Sequence, residues 1–158
     1  LFTCMLSMAW DVGRLYAAKV ASRHALNLAV RAAAAEIDPD ALADPSGSRM
    51  VVVPARARAS FDEVLGANYT PMRGRLVDGD YRVVFFYVVN YPDDAKRVGS
   101  LPAPFSYYTG DRTVTLAQPG VAAKIAAPVG LGPFGRLATG LGTVEVEVHS
   151  AAAPEVRL

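Results

Sequence analysis

Few residues in this chain of 158 have the chemistry to move protons, attack an electrophile or hold a metal. The two histidines, His24 and His149, fall in different segments, and His24 lies in a stretch that reads as helix. A Ser-His-Asp relay or a histidine metal site needs its groups held within reach of one reacting atom, and no spacing here brings them together. His24 is expected to pack beside a neighbouring helix and His149 to cap a solvated strand end. Gly130-Leu131-Gly132-Pro133-Phe134-Gly135 has the outline of a glycine-rich nucleotide loop. That pattern is weak alone, and neither its second position nor the residues after it suit a helix start, so it reads as a turn. Asp78-Gly79-Asp80 and Asp93-Asp94 fall short of the ligand count of a calcium loop and read as solvated acids. Cys4 is the only cysteine, which excludes an intrachain disulfide and a cysteine-based metal site; it reads as a packed, inert thiol. Asn68-Tyr69-Thr70 is an N-glycosylation sequon, with Pro71 directly after it. The reading is therefore of no enzyme, no catalytic residue, no cofactor and no metal.

Asp11 and Arg14 carry more information. They come after an apolar run from Leu1 to Trp10, interrupted only by Thr3 and Ser7. On a helix they can pair with each other at (i, i+3), or Asp11 can meet a basic residue of an adjacent subunit and set axial register. The alternative is a helix that emerges into water after Trp10 and leaves both charges solvated. Around them Ala9, Gly13, Ala17, Ala21, Ala25, Ala29 and Ala33 recur every four positions. Side chains four apart stack on a helix, so these form a shallow ridge along which another backbone can approach closely. Four residues advance about 400°, so the ridge drifts around the axis and one partner cannot cover it. Several surrounding helices are expected, and further copies of the same chain are the simplest source.

The bulk numbers agree with assembly. Sixteen basic against 15 acidic residues leave a net charge of +1, which gives no electrostatic reason to expect nucleic acid. Apolar residues make up 52% and charged residues 20%, a greasy balance that predicts surface buried on assembly. The chain begins at Leu1 and not at Met, so either it is processed or its start lies upstream. The run to Trp10 is shorter than the roughly 20 residues that cross a bilayer. Extending it brings in Asp11, Arg14, Lys19 and Arg23, each costing about 2.5–3.5 kcal/mol at the centre of an isolated span. Transient residence in a membrane, then a protein bundle in which the charges find partners, fits this pattern.

The elements that must position these residues predict an α+β fold. Residues 1–37 read as one helix of about 55 Å, stopped at Asp38-Pro39, and form a projecting assembly or anchor segment. Residues 38–48, with Pro39, Pro45 and Gly47, read as a linker, and 49–158 as a small domain. In that domain Met50 to Val53 is a short strand candidate, and Pro54 opens a helix to about Ala67 anchored by Phe61 and Leu65. Gly74 to Val77 and Tyr81 to Val89 are expected to pair as a hairpin about Asp78-Gly79-Asp80. Pro92 to Gly110 reads as a long loop, with Tyr107 and Tyr108 candidates to fold back. Arg112 to Ala117 and Val121 to Val129 read as strands, with a flexible connection from Gly130. The clearest strand is Thr143 to His149, where valines alternate with glutamates; Ala151 to Leu158 reads as a short tail that either pairs with a sheet edge or stays mobile.

With these residues in view, the first third resembles the tight-adherence (Tad-type) pilus proteins of the TadE and TadG kind, relatives of type IV pilins and pseudopilins. The carrying feature is Asp11-Val12-Gly13-Arg14-Leu15-Tyr16, after an apolar run and before an alanine-rich helix ending in Ala32 to Ala35. The resemblance implies a precursor cut before the apolar run, passage through the inner membrane, and a helical homopolymer at the cell surface with other pilus components as partners. Type IV pilins carry Glu at the fifth mature position, where this chain has Met5, and Asp11 is then the candidate for the register role. The expected function is a structural subunit of an extracellular pilus-like filament, polymerising through its N-terminal helix. The alternative is a membrane-anchored minor pilin or assembly factor that does not itself polymerise.

Overall fold

A computed structural model describes residues 2–45 and 49–154, apart from the side chains of Phe2 and Cys4. The expectations for Leu1, the Cys4 thiol, the end of the linker and residues 155–158 lie outside the described residues. The fold is α+β, with a long N-terminal helix before a mainly antiparallel sheet. Helix α1 (Phe2–Ala34) runs for 33 residues, about 50 Å at 1.5 Å per residue. It stops three residues short of the predicted Ile37, because Ile37 leaves the helix to form an antiparallel bridge with Val52.

The second half of α1 belongs to the chain's own core. Ala18, Ala25, Leu26, Ala29, Val30, Ala33 and Ala34 are buried, at the three- and four-residue spacing of a single helix face. Against them lies α3 (Pro54–Tyr69), whose Ala57, Phe61, Leu65 and Tyr69 are all fully buried and stack every four residues. Large side chains on α3 thus fill the space that the small ones on α1 leave. This corrects the expectation that the whole alanine ridge awaits other helices: Ala25, Ala29 and Ala33 are covered from within. Residues of α1, α3 and the sheet form one cluster, so the line drawn between 37 and 49 does not separate two cores.

The sheet has the order β2-β1-β5-β6, from β1 (Arg82–Asn90), β2 (Leu101–Pro102), β5 (Gly120–Gly130) and β6 (Thr143–Ala152). β5 pairs antiparallel with both β1 and β6, and β2 adds a short parallel edge to β1. Along β5, Val121, Ala123, Ile125, Ala127 and Val129 face the helices, as the period of two requires. The opposite face is covered by a separate hairpin, β3 (Phe105–Tyr108) with β4 (Thr113–Leu116). There Tyr107 and Phe105 meet Phe85 and Tyr87 edge-on, each pair at 5.2 Å between ring centres. Of the two tyrosines expected to fold back, Tyr107 is buried and Tyr108 is exposed.

Several segments differ from their prediction for local reasons. The linker contains a one-turn helix, α2 (Pro39–Leu42), because Asp38 accepts from the Asp40 backbone N–H at 3.2 Å. Residues 50–53 form no sheet strand; Val52 is held by Ile37 and by both ends of the buried Asn90 amide. No strand forms at 74–77: Gly74 turns at φ 70°, and the Met72 carbonyl accepts from Arg75, Leu76 and Val77, which closes a tight loop instead of a hairpin. The expected loop after Pro92 folds as α4 (Pro92–Val98), ended by Gly99 at φ 71°, and then as β2 and β3. The connection after Gly130 folds as α5 (Pro133–Thr139), closed by Gly140 at φ 69°.

Because Leu26 is fully buried and Leu28, two residues on, is exposed, the two positions separate a core role from a surface one. Leu26→Ala is expected to lower unfolding stability by about 3 kcal/mol, and Leu28→Ala by about 0.5 kcal/mol or less. Urea denaturation monitored by circular dichroism measures both.

Candidate functional site

α1 crosses from the body into the open near Asp11, and the chain handles the charges there in a specific way. Asp11 is only 7% exposed. Its Oδ1 accepts from the backbone N–H of Gly132 at 2.7 Å and its Oδ2 from that of Gly135 at 3.1 Å. Both amides belong to the start of α5, where helix N–H groups have no partner of their own and carry partial positive charge. The first of the expectations for Asp11, a pair with Arg14, is therefore corrected, and its carboxylate is occupied within the subunit rather than offered to a neighbour. Arg14 instead donates to Asp78 Oδ1 at 2.6 Å.

The glycine pattern, which reads as a turn in the sequence, is what makes this possible. A Cβ on Gly132 would come within 2.6 Å of Asp11 Oδ1, and one on Gly135 within 2.7 Å of Asp11 Oδ2. A Cβ on Gly130 would collide with the Asp78 carboxylate that binds Arg14. Gly132 and Gly135 thus cradle the Asp11 carboxylate at a helix start, while Gly130 leaves room for the Asp78 carboxylate beside it. Pro133, in the first turn of α5, is the sequence signal for that helix. The pairing itself has no local signal, because 121 residues separate the cradle from its acid.

With Asp11 and Arg14 turned inward, the outward surface of the first half of α1 is apolar. Met5, Leu6, Met8, Trp10, Val12 and Tyr16 are all exposed, Trp10 by 73% and Tyr16 by 71%. They are spread around the axis rather than gathered on one narrow face. Beside it Leu137 of α5 is 82% exposed and Leu141 is exposed as well. The part of the small-residue ridge that the body leaves uncovered, Ala9, Gly13 and Ala17, lines a groove of about 600 Å³ with Gly74, Arg75 and Leu76 on its other side. A Cβ on Gly13 would meet nothing within 4 Å. Ala21 is half-buried and packs on the core. No helix among the described residues is long and apolar enough to cross a membrane.

The remaining candidates stay apart. His24 is exposed on α1. His149 lies half-buried on β6, where burial holds its pKa below the ordinary histidine value, with Arg112, Arg23 and Lys124 acting in the same sense and Asp111 against it. Asp80 pairs with Arg73, and the buried Asp94 with Arg49 at 3.4 Å. No group of three or more His, Cys, Asp or Glu that could hold a metal occurs among the described residues. Asn68 sits in α3 and its Nδ2, the atom a glycan would need, donates to the Val64 carbonyl at 2.8 Å. Ser22, at the buried face of α1, has no hydrogen-bond partner for its hydroxyl among the described residues.

Comparison with known proteins returns no matching family, no matching curated protein and no matching solved structure, so the geometry carries the case for function. Asp11→Ala is expected to cost about 1–2 kcal/mol, the range for losing a helix cap, and to speed hydrogen exchange at the amides of Gly132 and Gly135 while leaving those of β5 protected. Gly135→Ala is expected to mimic it by displacing the carboxylate. For His149, the folded ring binds its proton less tightly than the unfolded one, so unfolding takes up a proton in acid. Its contribution to stability is full above pH 6.5, the unfolded value, and is lost as pH falls through the lower folded value. His149→Gln is expected to flatten that loss in denaturation curves compared between pH 7 and pH 5.

Proposed function

We propose that this chain is a structural subunit of an extracellular, pilus-like filament of the Tad type, polymerising through the first half of α1, and that it is not an enzyme. The observation that carries the reading is the division of α1. Asp11 is held by two amides of the chain's own body and Arg14 pairs with Asp78, though its buried Nε has no hydrogen-bond partner among the described residues, while exposed apolar side chains between Met5 and Tyr16 occupy the remaining sides. Burying that surface among identical helices gains about 25 cal/mol for each Å² of apolar area removed from water. The groove floored by Ala9, Gly13 and Ala17 lets the backbone of a second copy come close, as small-residue contacts between helices require. The assembly site is therefore narrower than the full ridge: Ala9, Gly13 and Ala17 serve neighbours, Ala25, Ala29 and Ala33 serve the subunit.

Trp10 supports a second reading. It is exposed at the border between the apolar run and the first charge, the place where tryptophan marks a membrane interface. On that reading the chain is an anchored minor pilin or assembly factor that stays in the envelope.

Electron microscopy of a cell-surface shear fraction separates the two. Uniform filaments whose repeating density contains the chain support the subunit; chain recovered only from membranes by detergent supports the anchored factor. Gly13→Leu and Trp10→Glu are expected to abolish filaments while the circular dichroism and urea midpoint of the body remain those of the parent. Ala25→Leu does not serve this purpose, since Ala25 is buried in the core and the added volume disrupts the body itself. Normal filaments from both Gly13→Leu and Trp10→Glu would overturn the subunit reading.

A further inference from the structure

A second cleft, of about 500 Å³, opens at the edge of β6, where Lys19 and Arg23 of α1 meet the turn at 109–112 and the outer ends of Lys124 and His149. Four cations and two acids line it. Both acids are already engaged: Glu147 pairs with Lys124 at 2.6 Å, and Asp111 accepts from the Thr109 hydroxyl at 2.5 Å. Lys19, Arg23 and Arg112 form no salt bridge among the described residues, although Arg112 lies near enough to Asp111 to help lower its pKa, whereas Arg14, Arg58, Arg73 and Arg82 each sit against an acid. Two separate elements, α1 and the turn at 109–112, thus deliver positive charge without a salt bridge to one concave place.

We propose that this cleft is a binding site for a phosphate-bearing anion, held by Lys19, Arg23 and Arg112 with Lys124 behind them. The guanidinium groups offer planar pairs of N–H donors that match phosphate oxygens, and the ammonium groups add charge without geometric demand. Several converging cations suit a dianion better than a single carboxylate, and the volume is that of a site for a small organic ligand rather than for a bare ion. His149 reports occupancy. Arg112 and Arg23 from the turn and α1, and Lys124 from β5, hold its pKa down beyond the effect of burial, and Asp111 opposes them. A bound dianion offsets those cations and raises it. The site draws Lys19 and Arg23 from α1, beyond the exposed apolar segment that ends at Tyr16.

The test uses the full chain and inorganic phosphate, titrated at constant ionic strength against chloride and monitored by NMR. Saturable shifts centred on Gly110, Arg112 and His149 are expected, with the His149 ring titrating at higher pH when phosphate is present and the His24 ring, outside the cleft, as the internal comparison. Arg23→Ala/Arg112→Ala, two exposed positions, is expected to weaken binding about tenfold or more, as loss of charged hydrogen bonds implies. Its circular dichroism checks that the fold is kept.

Sedimentation with phosphatidylcholine vesicles, with and without phosphatidic acid, distinguishes the source of the phosphate. Sedimentation that requires phosphatidic acid and is lost in the double variant assigns a lipid headgroup. Phosphate binding without that dependence assigns a soluble phosphate ester. Shifts of equal size in the double variant, or neither saturable phosphate binding nor a phosphatidic acid effect in the parent, overturn the proposal.

Discussion

The carboxylate of Asp11, seated on the amides of Gly132 and Gly135, joins the beginning of the chain to its last third. It satisfies a buried acid and two helix-start N–H groups at once, and each would be costly to leave without the other. It also sets where α1 leaves the body. Below this contact one face of the helix packs on α3 and the sheet; above it the exposed apolar residues have no cover from their own chain. The position of the exposed segment, the groove beside it and the orientation of α5 with its exposed Leu137 all depend on that one attachment.

The same contact explains how one helix can serve two environments. A helix that is apolar all round is unstable in water, and charges within it are unstable in an apolar bundle. Here the Asp11 and Arg14 charges are internally compensated, by α5 and by Asp78. The outward surface of the first half is left apolar, with Met5, Leu6, Met8, Trp10, Val12 and Tyr16 exposed. In the second half the body demands small residues instead, because Phe61, Leu65 and Tyr69 occupy the space beside α1.

The charged cleft at β6 is a contrasting case. The apolar half of α1 is incomplete for want of cover, and the cleft is unbalanced for want of an anion. The first is a matter of apolar area and the second of charge, although both draw on α1, which supplies Lys19 and Arg23 to the cleft.

The long helix, the helix opened by Pro54 and the strands 82–90, 120–130 and 143–152 are legible in the sequence, because helix periodicity, a first-turn proline and alternating valines are local signals. The small-residue ridge is legible too, but not what covers it. Its spacing is the same at Ala9 and at Ala29, and only the placement of α3 against one end decides that Ala29 is core and Ala9 is free. Short helices such as α4 and α5 leave only end signals in the sequence, Pro92 with Gly99 and Pro133 with Gly140, and no periodic face long enough to stand out, while Asp11, which bonds the start of α5, is distant in the chain. The sequence by itself determined which residues suit an α+β chain with a long, small-residue helix. Tertiary structure decided the partners of Asp11 and Arg14, the meaning of the Gly130 to Gly135 pattern and the convergence of Lys19, Arg23 and Arg112, since each depends on contacts between residues far apart in the chain.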